Sequence, residues 1–508
     1  MTLSLDGPGV TLSDVVDVAR RGVEVRLTNA ALKRMSSARS IVEHLAEGDP
    51  AYGVTTGFGA LATTTIPAER RADLQRSLIR SHAAGMGPPV ETEVVRAMMF
   101  LRARTLALGY SGARPVVAEG LVRLLNAGIV PRVPEYGSLG ASGDLAPLAH
   151  VGLVLMGEGE VVTGGGSTRA ADVLAREGIA PVVLAEKEGL ALTNGTDGIL
   201  GMLCLAIYDA EFLLADADIV AALTVEGLLA TDRAFAADLQ ALRPHPGQAT
   251  SAANLRNILA GSPIVASHRS GDLRVQDAYS VRCTPQVHGA ARDTLGFVTE
   301  VAWRELESAI DNPMVLPDGR VESCGNFHGA PVALAADYLA IALAEVGAIA
   351  ERRLDRLLDH NRSHGLAPFL ADDPGVDSGL MIGQYTAAAM CAENRRLAAP
   401  ASVDSYPTSA MQEDHVSMGW SAARKLRLVI ENVRRILAIE WVTAARAVEL
   451  RAPLEPAAGT AAAVRLLRSC VPGPGPDRIL SPELAAAEEL LKREALVDAV
   501  EAVVGPVA

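Results

Sequence analysis

The chain has 508 residues, 49% of them hydrophobic, so it is long enough to bury a large core over more than one domain. Its net charge is -14, and its basic residues are scattered among acidic ones, which argues against a nucleic-acid partner because phosphate binding needs clustered Lys and Arg. The start of the sequence has no basic region before an apolar stretch, and no later segment is uncharged and apolar for about 18 residues, so we expect a cytoplasmic protein without membrane contact.

The predicted elements change in character along the chain. Residues 1–200 alternate short helical stretches with turns rich in Gly and Pro, such as GMGPPV and VPEYGSLGASGD. Helix breakers are rare after Asn194, where long helices are predicted over residues 199–230, 333–360, 421–452 and 482–503. We therefore expect a mainly α protein, with a smaller loop-rich N-terminal domain at 1–200 and a long-helix bundle at 201–508.

The helix predicted over residues 421–452 has the clearest apolar face. Hydrophobic residues recur there at steps of three or four: Leu426, Val429, Ile430, Val433, Leu437, Trp441, Ala444, Ala445 and Val448. Charged residues occupy its other faces: Arg424, Arg427, Glu431, Arg434, Arg435 and Arg446. We interpret these charges as solvated or interhelical groups and assign them no function.

The five cysteines, Cys204, Cys283, Cys324, Cys391 and Cys470, are odd in number and far apart, which indicates neither a disulfide framework nor a CxxC metal site. We interpret all five as small hydrophobic residues in a reducing compartment.

Two other patterns suggest chemistry that the surrounding sequence does not support. His360 and His364 have the four-residue spacing of zinc ligands on one helix face, but HNRSH lacks the adjacent Glu and runs into Gly365, which favours a helix C-terminus. The GASGD segment at Gly140 nearly forms a nucleophile elbow, but its second glycine comes one residue early and no strand clearly precedes it. We therefore predict neither a metal site nor a hydrolase serine.

The segment Ala141-Ser142-Gly143 lies in a run of small residues where backbone atoms can approach closely. If the Gly143 nitrogen attacks the Ala141 carbonyl, a five-membered ring closes, and loss of two waters leaves a methylidene group from Ser142. Such a carbon electrophile would need no bound cofactor. On residue types alone, a Gly-rich turn with Asp144 capping the next helix is the simpler interpretation.

The segment GSLGASGDLAPLAH resembles the signature of the histidine and aromatic amino-acid ammonia-lyases, which form a methylidene-imidazolone from Ala-Ser-Gly. The resemblance covers nearly the whole chain, because six further motifs occur in the family's order. They are YGVTTGFG at Tyr52, SHAAGMG at Ser81, LTNGTDG around Asn194, QDAYSVRCTPQ at Gln276, GNFHG at Gly325 and SAMQEDHVSMG at Ser409. It implies a long-helix bundle of the fumarase/aspartase-like type, a homotetramer with active sites shared between subunits, and a 4-methylidene-imidazol-5-one formed autocatalytically from Ala141-Ser142-Gly143, without an external cofactor or a metal.

The resemblance also implies roles for residues far apart in the chain. Tyr279 matches the proposed base for the β-proton, and Tyr52 matches a second active-site tyrosine. Because tyrosine has an ordinary pKa of about 10, Tyr279 would need a nearby positive charge or helix terminus to act as a phenolate. Arg282 would lie on about the same helix face and suits the substrate carboxylate.

Three more positions match residues that contact the ring system or the substrate. Asn194 and Gln276 match groups that orient the ring system or the substrate by hydrogen bonds. Phe327 matches a residue that packs beside the ring system or the substrate. Whether Tyr279 or Glu413 is the working base, and whether the substrate amine or its ring attacks the electrophile, stays open.

The expected substrate depends on two positions. His82 in Ser81-His82, and Glu413, which can hydrogen-bond an imidazole, both resemble the histidine-specific members, so the expected reaction converts L-histidine to trans-urocanate and ammonia. Departures from the family pattern are Met411, Thr193, Asp197 and Tyr406. The alternatives are a tyrosine or phenylalanine lyase or aminomutase with the same electrophile, a non-catalytic helical scaffold, and a metal enzyme using His360 and His364.

Overall fold

The structure is a computed structural model that describes residues 2–46, 54–57, 64–164, 166–272 and 274–508. About 60% of the chain is helical, which confirms the mainly α fold. Twenty α-helices lie within the described ranges: α1 Leu12–Arg20, α2 Asn29–Ala46, α3 Arg71–His82, α4 Thr92–Ala107, α5 Pro115–Asn126, α6 Leu145–Leu155, α7 Ala170–Arg176, α8 Glu188–Thr193, α9 Asp197–Gly227, α10 Ala237–Ala241, α11 Pro246–Ile258, α12 Pro263–Ala266, α13 Tyr279–Arg282, α14 Thr284–Glu307, α15 Ala330–Leu358, α16 Met381–Leu397, α17 Gly419–Glu449, α18 Ala458–Arg468, α19 Leu480–Lys492 and α20 Ala495–Val504.

The β-strands of the described ranges form two-stranded sheets, and isolated β-bridges occur outside them. Their strands are β1 Thr2–Leu5, β2 Glu24–Leu27, β3 Met86–Pro89, β4 Pro134–Tyr136, β5 Glu160–Thr163, β6 Gly166–Arg169, β7 Met314–Val315 and β8 Val321–Glu322. β1 pairs with β2 in parallel, whereas β3–β4, β5–β6 and β7–β8 are antiparallel. Strands this short cannot form an independent core, so the helices supply it.

Two compact units can be distinguished in the chain. The first unit contains Met1–Tyr208, Thr299–Asp337 and Pro400–Arg424. The second unit contains Asp209–Val298, Tyr338–Ala399 and Lys425–Ala508. Each unit takes segments from three separate parts of the chain, so residues far apart in sequence meet within it. The sequence-based division at residue 200 stays a prediction.

Three of the four predicted long helices are confirmed as α9, α15 and α17, each beginning two or three residues earlier than expected. The fourth prediction, over residues 482–503, is wrong as a single helix because the backbone breaks between α19 and α20. Glu494 adopts a left-handed conformation at the break, with φ of 63°. No Gly or Pro marks this position, so the sequence carries no breaker signal. The 24-residue helix α14 was not predicted.

The apolar stripe of α17 is buried at all nine predicted positions, and Leu437 and Trp441 are completely enclosed. The charges on its other faces are paired or bonded. Arg435 contacts Glu488 of α19, as expected of an interhelical charge. The buried Arg446 instead donates to the backbone oxygen of Leu370 at 2.8 Å. Helical periodicity therefore identifies the buried face, and the neighbouring helices and loops determine what the remaining side chains contact.

Helices α9 and α15 are long and apolar enough to cross a membrane by length and composition alone. However, 78% and 61% of their most apolar windows are buried inside the protein. This burial is typical of core helices in a helical fold.

All five cysteines are free. Cys204 is buried, as expected for a small hydrophobic residue, whereas Cys470 is exposed, so that interpretation is wrong for Cys470.

Candidate active site

The loop Ala141-Ser142-Gly143 lies in the first unit, immediately before α6, and its backbone runs against the link between α8 and α9. Gly143 pairs with Gly195 in a parallel bridge, and the Asp144 N–H donates to the Gly195 oxygen at 2.7 Å. Gly143 has φ of 73°, and a Cβ there would lie 2.1 Å from the Gly195 oxygen. Only glycine fits, so the close backbone approach inferred from the sequence is present.

The side chain of Ser142 is held by Asn194. The Ser142 hydroxyl donates to Asn194 Oδ1 at 2.9 Å, and Asn194 Nδ2 donates to the Asn312 backbone oxygen at 2.8 Å. Since the amide nitrogen is committed to a carbonyl, the amide oxygen must face Ser142. Asn194 is buried, and Ser142 is half-buried. Ser142 is thus oriented by Asn194 and Asn312, which lie 52 and 170 positions after it in the chain.

The turn that carries Asn194 is fixed by a buried guanidinium. Arg102 of α4 donates to the backbone oxygens of Ala191, Asn194 and Ile310. Its Nε lies 3.2 Å from Asp197 Oδ2, and both side chains are almost completely buried. Burial raises the pKa of Asp197, while the charge of Arg102 opposes that rise. The pair therefore ties the end of α8 to the start of α9.

Asp144 does not cap α6 as predicted. Its Oδ2 accepts the backbone N–H groups of Gly198 and Ile199, each at 2.9 Å, and its Oδ1 accepts the Ser138 hydroxyl at 2.8 Å. The side chain therefore caps the first turn of α9, a tertiary contact that local sequence does not reveal. Complete burial raises the pKa of Asp144 to about 7, although these hydrogen bonds act in the opposite direction.

The segment that carries Glu413 is attached to the backbone just before Ala141. The Ser417 hydroxyl donates to the Gly140 oxygen at 2.9 Å, and the Met418 N–H donates to the Leu139 oxygen at 2.8 Å. A Cβ on Gly140 would lie 2.1 Å from Ser417 Oγ, so this contact also requires glycine. Two motifs more than 270 positions apart thus meet in the first unit.

His82 and Glu413 both lie in the first unit. His82 is the last residue of α3 and is half-buried, and its Nδ1 lies 3.1 Å from the Ser81 hydroxyl. Burial lowers the pKa of His82, and a hydrogen bond to the Leu78 backbone and the negative charge of Glu413 partly offset this effect. The Thr408 hydroxyl donates to Glu413 Oε2 at 3.0 Å. An imidazole and a carboxylate are therefore present in the unit that carries Ser142.

Phe327 follows β8 and is half-buried beside a pair of histidines that the sequence did not indicate. His328 Nε2 and His415 Nδ1 are 3.3 Å apart, and the two rings stack with centroids separated by 5.4 Å. One histidine follows Phe327 directly, and the other lies two residues after Glu413. The only available signal was that both motifs contain a histidine, which does not predict their contact.

Tyr279, Arg282 and Gln276 lie together in the second unit, where they line an open pocket of about 370 Å³. The Arg282 guanidinium lies 4.6 Å from the centre of the Tyr279 ring, as their helical spacing predicts. Arg282 Nε donates to the Asp277 oxygen at 3.0 Å, and the Tyr279 side chain is 72% exposed. The structure therefore brings the predicted base and the predicted carboxylate clamp into contact.

Two further arginines, Arg274 and Arg356, line the same pocket, and so does His364 of the HNRSH motif. Asp277 also lines the pocket and pairs with Arg274 at 3.4 Å, but three guanidinium groups outnumber this one carboxylate among the lining residues, which suits a carboxylate ligand. The helix that precedes this motif ends at Leu358, so His360 and His364 do not share a helix face. Among the described residues, no group of three or more potential metal ligands occurs.

The four departures from the family pattern have different surroundings. Thr193 is buried and its hydroxyl donates to the Gly189 oxygen within α8, while Asp197 pairs with Arg102. The Tyr406 hydroxyl donates to Asp404, and Met411 is exposed in a left-handed conformation. The remaining predicted site residue, Tyr52, lies outside the described residues.

Comparison with known proteins gives a consistent result. A sequence model described as aromatic amino acid lyase matches residues 10–469. A histidine ammonia-lyase of Streptomyces avermitilis is 60% identical over the full length of both chains. Among solved structures, a tyrosine aminomutase from Streptomyces globisporus superposes with a TM-score of 0.94 at 38% identity, over 99% of both chains. A histidine ammonia-lyase from Trypanosoma cruzi superposes with a TM-score of 0.91 at 38% identity, over 99% of this chain and 95% of the other.

Proposed function

Since the chain belongs to the aromatic amino acid lyase family and is therefore a carbon–nitrogen lyase, we propose that it eliminates ammonia from L-histidine to give trans-urocanate. The observation that carries this proposal is the full-length identity of 60% with a histidine ammonia-lyase. The presence of His82 and Glu413 in the unit that contains the Ala-Ser-Gly loop supports it.

We propose that Ala141, Ser142 and Gly143 form a 4-methylidene-imidazol-5-one by ring closure and loss of two waters. Gly143 has the backbone freedom that the cyclisation requires, and Gly195 lies too close to allow any other residue there. Asn194 Oδ1 accepts the Ser142 hydroxyl and fixes its direction before water is lost. When present, this group supplies a carbon electrophile that turns the substrate's amino group into a better leaving group.

The protein's own side chains then bind the substrate and move its proton. Arg282 binds the α-carboxylate in a pocket that Arg274 and Arg356 make more positive. Tyr279 removes the β-proton, and the Arg282 guanidinium that lies against its ring places this base beside the bound carboxylate. Glu413 accepts a hydrogen bond from the imidazole N–H of the substrate, and His82 packs against the same imidazole ring.

Gln276, Phe327 and Tyr52 complete the proposed substrate site, with Gln276 donating to the substrate and Phe327 packing beside its ring. We further propose a cytoplasmic homotetramer that performs the first step of histidine degradation, organised as an N-terminal domain at 1–200 and a bundle at 201–508. The exposed apolar side chains of α14 and α15 support association between copies: Phe297, Trp303, Leu334, Tyr338 and Ile341.

A second candidate is a lyase or aminomutase that uses the same electrophile on tyrosine or phenylalanine. The fold of the Streptomyces globisporus tyrosine aminomutase supports this alternative, since it covers 99% of the chain. Assays of the purified protein with L-His, L-Tyr and L-Phe, followed by the ultraviolet absorbance of urocanate or cinnamates, separate the two. We expect the fastest turnover with L-His, and faster turnover of L-Tyr or L-Phe would contradict the substrate assignment.

Intact-mass measurement tests the electrophile. We expect the native protein to be lighter than its encoded mass by two waters. The Ser142→Ala variant should keep the full encoded mass, fold normally and lose roughly a thousand-fold or more of kcat, because it cannot supply the methylidene carbon. A native protein of unmodified mass would refute ring formation and leave the helical scaffold as the better description.

A further inference from the structure

We propose that Thr408 is a positioning residue that holds the Glu413 carboxylate in place for a substrate whose ring carries an N–H donor. This inference rests on the proposed function and adds to it a residue that sets substrate preference. Thr408 lies five positions before Glu413 and is itself half-buried.

Thr408 and Glu413 close a short turn through both backbone and side-chain hydrogen bonds. The Thr408 N–H donates to the Glu413 oxygen at 2.8 Å, and the Glu413 N–H donates to the Thr408 oxygen at 3.2 Å. In addition, the Thr408 hydroxyl donates to Glu413 Oε2 at 3.0 Å. One residue therefore fixes both the backbone of Glu413 and the end of its side chain.

The turn between these residues is conformationally costly. Ser409, Ala410 and Met411 all adopt left-handed backbone angles, with φ of 51°, 51° and 71°. Left-handed backbone angles are unfavourable for residues other than glycine. They persist only where contacts with the surrounding structure enforce them. The paired residues at the two ends of the turn supply this constraint, so the segment holds Glu413 in one defined position.

A glutamate on an exposed turn would otherwise sample many rotamers, at a cost in entropy when a ligand orders it. The hydroxyl bond selects one rotamer in advance, and a carboxylate retains acceptor capacity for a further N–H donor. The segment that follows Glu413 bonds the backbone just before Ala141 through Ser417 and Met418, so the carboxylate is held in the unit that carries the reactive loop. A substrate ring without an N–H gains nothing from this arrangement.

The test compares Thr408→Val, which removes the hydroxyl at nearly constant shape, with Thr408→Ser, which keeps it. Thr386→Val is the matched control, because Thr386 is exposed on α16 and its hydroxyl bonds the Ile382 oxygen of the same helix. The readouts are kcat and KM for L-His, the inhibition constant of L-Phe, and the two-water mass loss. Turnover of L-His by the unmodified protein is measured first, and its absence would count against the proposed function rather than against Thr408.

We expect Thr408→Val to raise KM for L-His about ten-fold with kcat nearly unchanged. The lost charge-assisted hydrogen bond would stabilise the bound substrate and the transition state equally, so its loss weakens binding alone. The inhibition constant of L-Phe and the mass loss should not change, and Thr408→Ser and Thr386→Val should behave like the unmodified protein. The proposal is overturned if Thr408→Val leaves KM for L-His unchanged, if it weakens L-Phe equally, if it abolishes the mass loss, or if Thr408→Ser fails to restore KM.

Discussion

At the scale of single residues, two backbone contacts decide which side chains the reactive loop accepts. Gly143 meets the Gly195 oxygen, and Gly140 meets Ser417 Oγ, each at 2.1 Å from a hypothetical Cβ. A run of small residues in the sequence indicates that close approach is possible. It does not identify the partner, because Gly195 and Ser417 belong to motifs elsewhere in the chain.

The first prediction concerns Gly143→Ala. The added methyl group cannot be accommodated next to the Gly195 oxygen, so we expect no two-water mass loss and no turnover of L-His. Gly128→Ala is the control, since Gly128 has a similar φ of 66° but nothing within 4 Å of its added Cβ. Intact mass and activity are measured for both variants. Normal ring formation in Gly143→Ala would contradict the proposed role of the contact.

The second prediction concerns the pH dependence of stability. The pKa of Asp144 is about 7 in the folded protein against an ordinary value of 3.8, so the folded chain keeps a proton that the unfolded chain releases. This contribution to stability is therefore lost as pH rises from about 4 to about 7. Asp144→Asn does not titrate, and its amide oxygen can accept the Gly198 and Ile199 N–H groups.

Urea unfolding midpoints of the unmodified protein and Asp144→Asn, measured at steps between pH 4 and pH 8, check this prediction. We expect the variant to gain stability relative to the unmodified protein up to about pH 7 and to show a constant difference above it. A difference that does not vary with pH would mean that Asp144 is already ionised in the folded protein at low pH.

At the scale of elements, a long uninterrupted apolar period predicts a helix and its buried face, as α17 illustrates. The break between α19 and α20 shows the limit of this reasoning, because Glu494 takes a left-handed conformation without a glycine. Contacts from other parts of the chain override local preference there. The same limit applies to Asp144, whose carboxylate caps the distant helix α9 instead of the adjacent α6.

The third prediction concerns how much the buried apolar stripe of α17 contributes to the free energy of unfolding. Leu437→Ala removes a completely enclosed side chain and should lower the free energy of unfolding by about 2–5 kcal/mol. Leu428→Ala is the matched control, because Leu428 on the same helix is 40% exposed and should cost much less. Thermal or urea unfolding of the two variants gives the comparison. Equal losses would show that the stripe is not the main stabilising face.

At the scale of the whole molecule, the proposed catalytic groups divide between the two units. Ser142, Asn194 and Glu413 lie in the first unit, whereas Tyr279 and Arg282 lie in the second. The family resemblance identified these residues in the sequence, and helical spacing alone placed Arg282 beside Tyr279. Neither source predicted the His328–His415 pair or the Arg102–Asp197 pair, since these depend on contacts between segments far apart in the chain.

The fourth prediction tests whether an active site combines residues from different subunits. Ser142→Ala and Tyr279→Phe should each be inactive alone. When both chains are co-expressed in equal amounts, sites built from two subunits should recover about a quarter of the unmodified activity by random assembly. Equal mixtures that stay inactive, in a protein that sediments as a mixed oligomer, would show that both groups come from one chain.

The hydrogen bonds of Asn194 have a consequence for when this protein can become active. They join Ser142 to the backbone at Asn312, so the serine is oriented only after more than 300 residues have been synthesised and have folded. Under the proposed chemistry, the dehydrated ring is a permanent chemical record that a molecule has reached its native fold at least once. A chain that later unfolds keeps this record, and the mass of a denatured sample therefore distinguishes molecules that once folded from molecules that never did.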